Sequence, residues 1–277
     1  MTTTNQKSVL ITGCSTGIGL DAVHYLRQRG FHVIASVRQE KDLNLFEKDN
    51  IECIQLDLSD ETSVQNASDY IHKNHPNLYG LVNNGAYGQP GAVEDLSRSA
   101  LREQFETNVF GTHDLTQKLL PIFLKHNQGR IVQVSSVLGV IALPMRGAYN
   151  ASKFALEGLT DTQRLELADT NIKISLIEPG AIETQFRANC VHHFEKNIDE
   201  SKSRYKAQYD AMKARLNRKG LAKFTETPER VSKDIFHALS SEKPKIRYRI
   251  TIPTIVGAKL KRLLTDRMMD KISSNKG

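Results

Sequence analysis

Short apolar runs alternate with amphipathic stretches over the first two-thirds of the chain. The runs have the length of buried strands, and the stretches between them repeat apolar residues every three or four positions, as helices do. Strands separated by such helices pair in parallel with right-handed crossovers. The pattern therefore predicts a doubly wound, parallel α/β sheet with helices on both faces. The six predicted strands are residues 8–12, 31–37, 51–56, 78–83, 130–135 and 173–178.

Two of the predicted helices carry candidate chemistry. One is a long helix through Leu101 and Leu119, and the other covers residues 149–167. Neither an internal repeat nor a Gly/Ser linker interrupts the pattern, so a single domain over residues 1–277 is predicted. Residues 185–230 form a polar, mostly helical insertion. Insertions at the carboxyl ends of strands become lids, so this one is interpreted as a substrate cap or, alternatively, as a solvated surface helix.

The composition is that of an ordinary globular protein, with 39% hydrophobic and 25% charged residues. This excludes a disordered or low-complexity chain. Cys14, Cys53 and Cys190 are scattered and form no C-x-x-C pair, which argues against a disulfide framework or a zinc ribbon. Reduced thiols, no apolar leader and no spanning stretch together predict a soluble, cytoplasmic protein.

The net charge of +7 is concentrated late in the chain. Residues 1–194 carry 17 basic and 21 acidic side chains, whereas residues 242–277 carry 10 and 3. A mildly acidic main body is not typical of a nucleic-acid-binding domain, so no nucleic-acid partner is predicted. Residues 253–277 have the spacing of a basic amphipathic helix. Such a helix binds an anionic membrane surface or packs on a second subunit, and both interpretations stay open.

A glycine-rich turn lies between the first predicted strand and the first predicted helix. Glycines allow the backbone to approach a pyrophosphate seated on the helix N-terminus, so the turn predicts a dinucleotide site. The second strand ends at Arg38, with no carboxylate before Glu40, which favours the 2′-phosphate of NADP over the 2′-hydroxyl of NAD. The residues of the turn expected to contact the cofactor are Gly13, Ser15, Thr16, Gly17, Ile18 and Gly19.

Tyr149 and Lys153 are spaced i, i+4 and so share one face of a helix. An ammonium beside a phenol favours the phenolate, so the pair predicts a tyrosine with a lowered pKa that serves as an acid/base catalyst. The preceding strand ends in Ser135-Ser136, and of these two serines Ser136 is preferred because it lies thirteen residues before Tyr149. Asn108 lies inside an apolar helix, where its amide requires a partner. The nine histidines show no spacing of a metal-ligand set, so no metal is predicted.

In order and spacing, these motifs resemble the short-chain dehydrogenase/reductase family over about residues 7–240. The motifs are TGxxxGIG, Asn83-Asn84, Asn108, Ser136, Tyr149-x-x-x-Lys153 and Pro179-Gly180. Within the family, the sequence is most similar to the branch with 17β-hydroxysteroid dehydrogenases, retinol dehydrogenases and bacterial NADP-dependent aldehyde reductases. The resemblance implies a Rossmann-type fold, NADP(H) as cofactor, and a homodimer or homotetramer.

The resemblance also implies a role for each catalytic residue. Tyr149 is expected to donate the proton in reduction, and Lys153 to lower the pKa of Tyr149 and hold the nicotinamide ribose. Ser136 is expected to hydrogen-bond the substrate carbonyl, and Asn108 to hold a relay water. Further cofactor contacts are expected from Asp57, Leu58, Asn83, Gly85, Pro179, Gly180, Ile182 and Thr184. The family usually has Asn-Asn-Ala-Gly where this sequence has Gly85-Ala86, so the effect of Ala86 on the cofactor is open.

The function expected is NADPH-dependent reduction of lipophilic aldehydes or ketones to alcohols. An oxidative steroid or retinol dehydrogenase and a non-catalytic NADP-binding sensor are the alternatives. An apolar substrate pocket is expected at Tyr87, Leu138, Leu143 and Met145, because these residues lie on loops after the strands.

Overall fold

Seven parallel strands form the central sheet, in the order β3-β2-β1-β4-β5-β6-β7. The computed structural model describes residues 6–217, 220 and 223–274. The doubly wound α/β fold predicted from the sequence is confirmed, and each of the six predicted strands is present. The strands are β1 Ser8–Ile11, β2 His32–Val37, β3 Glu52–Gln55, β4 Gly80–Asn83, β5 Gly129–Val134, β6 Ile172–Pro179 and β7 Arg247–Ile250.

Helices cover both faces of the sheet. On one face, α1 packs over β2 and α8 over β5 and β6, and the two helices share an apolar cluster that includes Val23, Leu26 and Ile235. On the other, α2 and α4 pack in a cluster that includes Ile71 and Leu119. The helices are α1 Gly17–Arg27, α2 Glu61–Asn74, α3 Arg98–Phe105, α4 Thr112–Lys125, α5 Gly147–Glu166, α6 Phe186–Asn197, α7 Lys206–Leu216, α8 Pro228–Ser240, α9 Ile252–Leu263 and α10 Asp266–Ser274.

Strand β7 was not predicted, because its sequence RYRI reads as part of the basic tail. The strand pairs with β6 at the edge of the sheet. Its two arginines turn towards a buried carboxylate: Arg247 Nε lies 2.9 Å and Arg249 Nε 3.0 Å from the oxygens of Glu178. These two arginines therefore belong to the seventh strand of the sheet and pair with Glu178 of β6.

The long helix predicted through Leu101 and Leu119 is continuous but irregular. A π-helical turn, Glu106–Gly111, separates α3 from α4. Gly111 lies so close to the loop after β3 that an added Cβ would lie 1.7 Å from the carbonyl oxygen of Leu58. Asn108 lies within the π turn, a feature that often marks functional sites in helices.

The predicted cap insertion, 185–230, contains α6, a 3-10 turn over Glu200–Lys202, and α7. These elements pack over a small apolar cluster with Phe194 and Tyr209 at its centre. Tyr209 accepts a hydrogen bond from the Ala92 amide at 2.9 Å and donates one to Asp95. The insertion ends before residue 230, because α8 begins at Pro228 and belongs to the main core. Residues 218–219 and 221–222 of the insertion lie outside the described residues.

The predicted tail helix, 253–277, is two helices rather than one. Leu264 is extended, with φ −99° and ψ 151°, and separates α9 from α10. Thr254, Gly257 and Ala258 bury one side of α9. None of the helices in the described part of the chain has both the length and the apolar composition to cross a lipid bilayer. Residues 1–5 of the predicted domain and 275–277 of the predicted tail lie outside the described residues.

Candidate active site

The candidate site lies at the carboxyl ends of the strands, where the sheet order reverses between β1 and β4. Ligands of doubly wound sheets bind at this point. The glycine-rich turn follows β1 here. Gly13 and Gly17 have φ values of 69° and 61°, in the left-handed region that favours glycine. A Cβ on Gly19 would lie 2.2 Å from the Gly13 carbonyl oxygen, so the turn closes tightly onto the start of α1.

The N-terminus of α1 is suited to an anion. Its N-cap residue, Thr16, makes no side-chain capping hydrogen bond, and the first turn contains no acidic residue. The amide groups at this end therefore point to the cleft with the positive end of the helix dipole. These features fit the pyrophosphate of a dinucleotide.

A cleft of about 250 Å³ continues from this turn towards the end of β2. Ser15, Thr16 and Arg38, all predicted as cofactor contacts, share its lining. The exposed Arg38 guanidinium provides the donors for a phosphate. The lining also contains residues that were not predicted: Gln39, Asp42, Gln185 and Asn189.

Asn84 is a site residue whose role the sequence did not show. Its amide nitrogen donates to the carbonyl oxygens of Thr12 at 2.9 Å and Gly13 at 3.1 Å. The Thr12 hydroxyl in turn accepts from the amides of Asn84 and Gly85 at 2.9 and 2.8 Å. These four bonds join the loop after β4 to the glycine-rich turn.

Gly85 is tightly packed between Leu58 and the glycine-rich turn. A Cβ there would lie 2.9 Å from Leu58 Cδ1, and one on Gly13 would lie 2.9 Å from the Gly85 Cα. The glycine-rich turn and the loop after β4 therefore contact each other closely at Gly85, the first residue of the Gly85-Ala86 pair. Asn83, by contrast, directs its side chain away from the cleft and donates to the Thr116 hydroxyl at 2.8 Å. Asp57 accepts from the amide and hydroxyl of Ser59.

Three of the predicted catalytic residues meet beneath the cleft. Tyr149 and Lys153 lie on α5, and Ser136 follows β5 and hydrogen-bonds Tyr149. The Lys153 ammonium donates to the Val134 carbonyl at 2.8 Å and lies 5.7 Å from the centroid of the Tyr149 ring. All three side chains are at least nine-tenths buried. The alternative serine, Ser135, faces Glu157 instead.

Asn108, the fourth predicted catalytic residue, approaches from the π-helical turn. Its amide nitrogen donates to the Tyr87 carbonyl at 3.0 Å and to the Ser152 hydroxyl at 3.2 Å. The buried amide thus has the partners that its position required. Because Ser152 precedes Lys153, the contact connects the π turn to the helix of Tyr149.

Burial controls the electrostatics of this centre. It raises the pKa of Tyr149 well above 10, although the Ser136 hydroxyl lowers it in part. Burial outweighs the groups that oppose it, and the effect of Lys153 on the pKa of Tyr149 stays a prediction. Lys153 is itself desolvated, which lowers its pKa to about 8 against the opposing effect of Glu157. Burial also raises the pKa of Glu157 to about 7, with Ser135 and Arg247 opposing the change.

The segment after β6 closes the other side of the cleft. Gly17 lies against Thr184, since an added Cβ would be 3.1 Å from its side chain. Ile182 forms an isolated bridge with Glu226, which fixes its backbone. Pro179 ends β6, and the Gly180 amide donates to the Ile250 carbonyl at 3.1 Å. Ile182 and Thr184 thus lie beside the turn, while Gly180 packs on Thr251.

Comparison with known proteins decides the family. The short chain dehydrogenase family model matches residues 7–194. This chain belongs to that family. It is an oxidoreductase, as are the relatives with which it shares most of its length.

Two curated relatives and one solved structure illustrate the similarity. The uncharacterized oxidoreductase YbbO of Escherichia coli is 43% identical over 268 residues, which cover 96% of this chain and 94% of YbbO. The NADPH-dependent 3-dehydrocapnine reductase of Ornithobacterium rhinotracheale is 32% identical over 272 residues, covering 95% and 94%. A short-chain dehydrogenase from Streptomyces avermitilis superimposes with a TM-score of 0.78 at 25% identity, covering 98% of this chain and 96% of that one.

The substrate side of this dehydrogenase is only partly formed by the predicted residues. Leu138 is buried beside Ser136, and the Tyr87 ring stacks on His193 with centroids 4.0 Å apart. Met145, however, packs on the apolar cluster of the cap. Leu143 uses its carbonyl to accept from Asn150 at 2.9 Å.

Phe186 and Cys190 of α6 lie near Tyr149 and were not predicted. The Phe186 ring centroid lies 5.4 Å from that of Tyr149. A Cβ on Gly88 would lie 2.7 Å from the Phe186 ring and 3.3 Å from the Cys190 sulfur. The first turns of the cap therefore cover the tyrosine. The sequence offered one signal for this, an apolar pair spaced i, i+4 at the start of α6.

Proposed function

We propose that this dehydrogenase is an NADPH-dependent carbonyl reductase that converts lipophilic aldehydes or ketones to alcohols. The observation that carries the proposal is the buried contact of Tyr149, Ser136 and Lys153 beneath an apolar cap residue, Phe186. A phenol at this position can donate a proton to a carbonyl oxygen, and the serine hydroxyl adds a fixed donor where negative charge develops. NADPH, when bound, supplies the hydride.

The raised pKa of Tyr149 supports the direction of reduction. Burial keeps the phenol protonated over the physiological range, so the side chain holds the proton that reduction consumes. Lys153 is withheld from the phenol by its bond to the Val134 carbonyl. We infer that Lys153 exchanges this carbonyl for the nicotinamide ribose hydroxyls, and that Asn108 holds a water linking Lys153 to solvent.

Arg38 supports NADPH as the preferred cofactor. It is the cation in the lining of the cleft and lies beside Ser15 and Thr16, whose hydroxyls are further donors for a phosphate. Asp42 is the carboxylate in the same lining. The NADPH dependence of the Ornithobacterium relative also favours NADPH.

The apolar character of the cap side supports a lipophilic substrate. The side chains around Tyr149 are largely apolar. They are Phe186, Cys190, Leu138 and the Tyr87 ring. An oxidative steroid or retinol dehydrogenase would use the same surface in the reverse direction. The phenol-bearing centre disfavours a non-catalytic sensor, because the four catalytic residue types are all present and buried.

We also infer a homodimer or homotetramer in the cytoplasm. An exposed face of α5 carries Phe154, Leu159 and Leu165, which are 43%, 43% and 66% exposed. Gly158 lies among them with open space around it, so another helix could approach closely. A second apolar face, on α9, is surrounded by Lys259, Lys261 and Arg262 and suits either an anionic membrane surface or another subunit. The three free cysteines are compatible with a reducing compartment.

A substrate screen tests the proposed activity. NADPH oxidation is followed with straight-chain aldehydes of increasing length, ketones, steroids and retinoids, and repeated with NADH. We expect turnover that rises with chain length and prefers NADPH. Tyr149→Phe is expected to lose turnover while retaining NADPH binding, measured by fluorescence, and Tyr205→Phe in the cap is the matched control. Unchanged turnover in Tyr149→Phe would remove the phenol from the mechanism.

A further inference from the structure

Two histidines and a glutamate meet at the end of the sheet opposite to the catalytic cleft. His32 begins β2, Glu52 begins β3, and His75 caps the C-terminus of α2. His32 Nε2 lies 3.2 Å from one oxygen of Glu52, and His75 Nε2 lies 2.8 Å from the other. All three potential ligand atoms lie within 4.8 Å of one another.

The ring orientation and the burial of the three side chains distinguish this cluster from an incidental surface contact. The two imidazole rings lie 5.4 Å apart at 31° to each other, and both turn Nε2 inward. The His75 and Glu52 side chains are 13% and 24% exposed, and His32 is 39% exposed. His32 and His75 line a cavity of about 300 Å³, so small molecules and ions can reach them. The other lining residues are Gln6, Ser8, Asn74, Pro76 and Asn77.

The donor set matches a tetrahedral divalent transition metal. Zn²⁺ binds imidazole nitrogen and carboxylate oxygen at about 2.0–2.2 Å, and a tetrahedron of that size separates neighbouring ligand atoms by about 3.3 Å. The observed nitrogen–oxygen distances of 3.2 and 2.8 Å are close to this value, and the ligand atoms, which lie within 4.8 Å of one another, need only side-chain adjustments to surround an ion. The cavity leaves room for water as a fourth ligand.

We propose that His32, Glu52 and His75 form a binding site for Zn²⁺ or a similar divalent transition metal. The spacing of histidines along the sequence predicted no metal, because the ligands come from three elements and lie 20 and 23 residues apart in sequence. The site is independent of the proposed reductase activity. It joins the edge strand β3 to its neighbour β2 and to α2, so the bound ion stabilises this edge of the fold.

The ion competes with hydrogen bonds that already exist. Nε2 of His75 and Nε2 of His32 hydrogen-bond the two oxygens of the Glu52 carboxylate at 2.8 and 3.2 Å. Both imidazoles must present an unprotonated Nε2 to the metal. Metal binding therefore replaces the two hydrogen bonds between these nitrogens and the Glu52 carboxylate.

Metal titration of the tag-free, full-length protein tests the proposal. Co²⁺ is followed by its visible absorption, which is intense in tetrahedral sites, and Zn²⁺ by competition with a chromophoric chelator. We expect one tight equivalent per chain and a rise in melting temperature with Zn²⁺. His75→Gln, His32→Gln and Glu52→Gln are each expected to weaken binding at least tenfold and to abolish the rise in melting temperature.

Two control variants isolate the cluster. His72→Gln removes a histidine one turn earlier on α2, whose Nε2 bonds the Lys118 carbonyl, and is expected to bind metal as the original chain does. His193→Gln tests the histidine pair of the cap, His192-His193, as a competing site. Circular dichroism of each variant verifies folding. Absence of tight binding to the original chain, or binding unchanged in all three cluster variants, would overturn the proposal.

Discussion

The side-chain amide of Asn108 bonds both backbone groups of Tyr87. Its oxygen accepts from the Tyr87 amide at 3.2 Å, and its nitrogen donates to the Tyr87 carbonyl at 3.0 Å. The Asn108 side chain thereby forms with the loop after β4 the pair of backbone hydrogen bonds that a neighbouring β-strand would form. The same nitrogen reaches Ser152 on α5, so one residue connects the loop, the π turn and the catalytic helix.

Replacement of Asn108 by leucine, which has a similar size, is expected to destabilise the protein and reduce turnover. The partly buried Tyr87 amide loses its partner, which costs about 1–3 kcal/mol, whereas the Tyr87 carbonyl keeps the bond from Gln104 at 2.9 Å. Urea unfolding measures the free energy of unfolding, and NADPH oxidation measures turnover. Thr162→Ala, which removes an exposed hydroxyl bonded to Gly158, serves as the control. Equal stability of Asn108→Leu and the control would show that these hydrogen bonds contribute nothing.

Arg38→Ala is expected to weaken NADPH selectively. Charge-assisted hydrogen bonds contribute about 1.5–3 kcal/mol, which corresponds to a rise of about 10- to 100-fold in KM for NADPH. The KM for NADH should change little, because NADH lacks the 2′-phosphate. Steady-state kinetics with both cofactors gives the two values. Lys41→Ala removes an exposed cation three residues further on and should leave the ratio unchanged; a parallel rise for NADH would contradict a 2′-phosphate contact.

Glu157→Gln is expected to alter the pH dependence of stability. The folded protein holds the Glu157 proton with a pKa of about 7, above the ordinary value of 4.5. The folded state therefore binds more protons between these values, and this group lowers the free energy of unfolding as the pH rises through them. Urea unfolding at about pH 5 and about pH 7.5 should show a smaller loss in Glu157→Gln, by up to about 3 kcal/mol. Glu166→Gln, at an exposed position of α5, should retain the full loss.

Phe186→Ala is expected to impair long-chain substrates more than short ones. The ring covers Tyr149, and a change in apolar pocket contact is worth about 1–3 kcal/mol, or about 10-fold or more in kcat/KM. The dependence of kcat/KM on aldehyde chain length should flatten. Phe224→Ala removes a 44% exposed ring elsewhere in the cap segment and is the matched control. The same chain-length dependence in both variants would exclude Phe186 from substrate binding.

Phe154→Glu is expected to dissociate the oligomer. A carboxylate in the centre of an apolar helix face is costly to bury against a second copy. Light scattering coupled to gel filtration gives the mass. Leu263→Glu places the same charge on α9, where the side chain is 80% exposed, and should keep the mass but reduce sedimentation with anionic liposomes if that face binds membranes. Dissociation by Leu263→Glu alone would assign the subunit contact to α9.

Local sequence patterns were sufficient for six of the seven strands and for the glycine-rich turn. Hydrophobic patterning is strongest in strands such as β1, β4 and β5, which lie almost wholly in the core. Asn84 and Phe186 were missed because their importance comes from contacts with Thr12, Gly13 and Tyr149, which are distant in sequence. The raised pKa of Tyr149 was missed for the same reason: the spacing of Lys153 is visible in the sequence, but the depth of burial is not.

The last strand of the sheet, β7, forms ion pairs with α5, the helix that carries Tyr149 and Lys153. Arg247 of β7 bonds Glu157 and Asp161 of α5 at 3.1 and 2.6 Å, and also approaches the fully buried Glu178. The part of the chain matched by the family model ends at residue 194, well before this arginine. A nascent chain that ends at residue 194 therefore contains the buried acids but not the arginine that pairs with them. The environment of Lys153 is complete only after β7, Arg247–Ile250, has been synthesised and has joined the sheet.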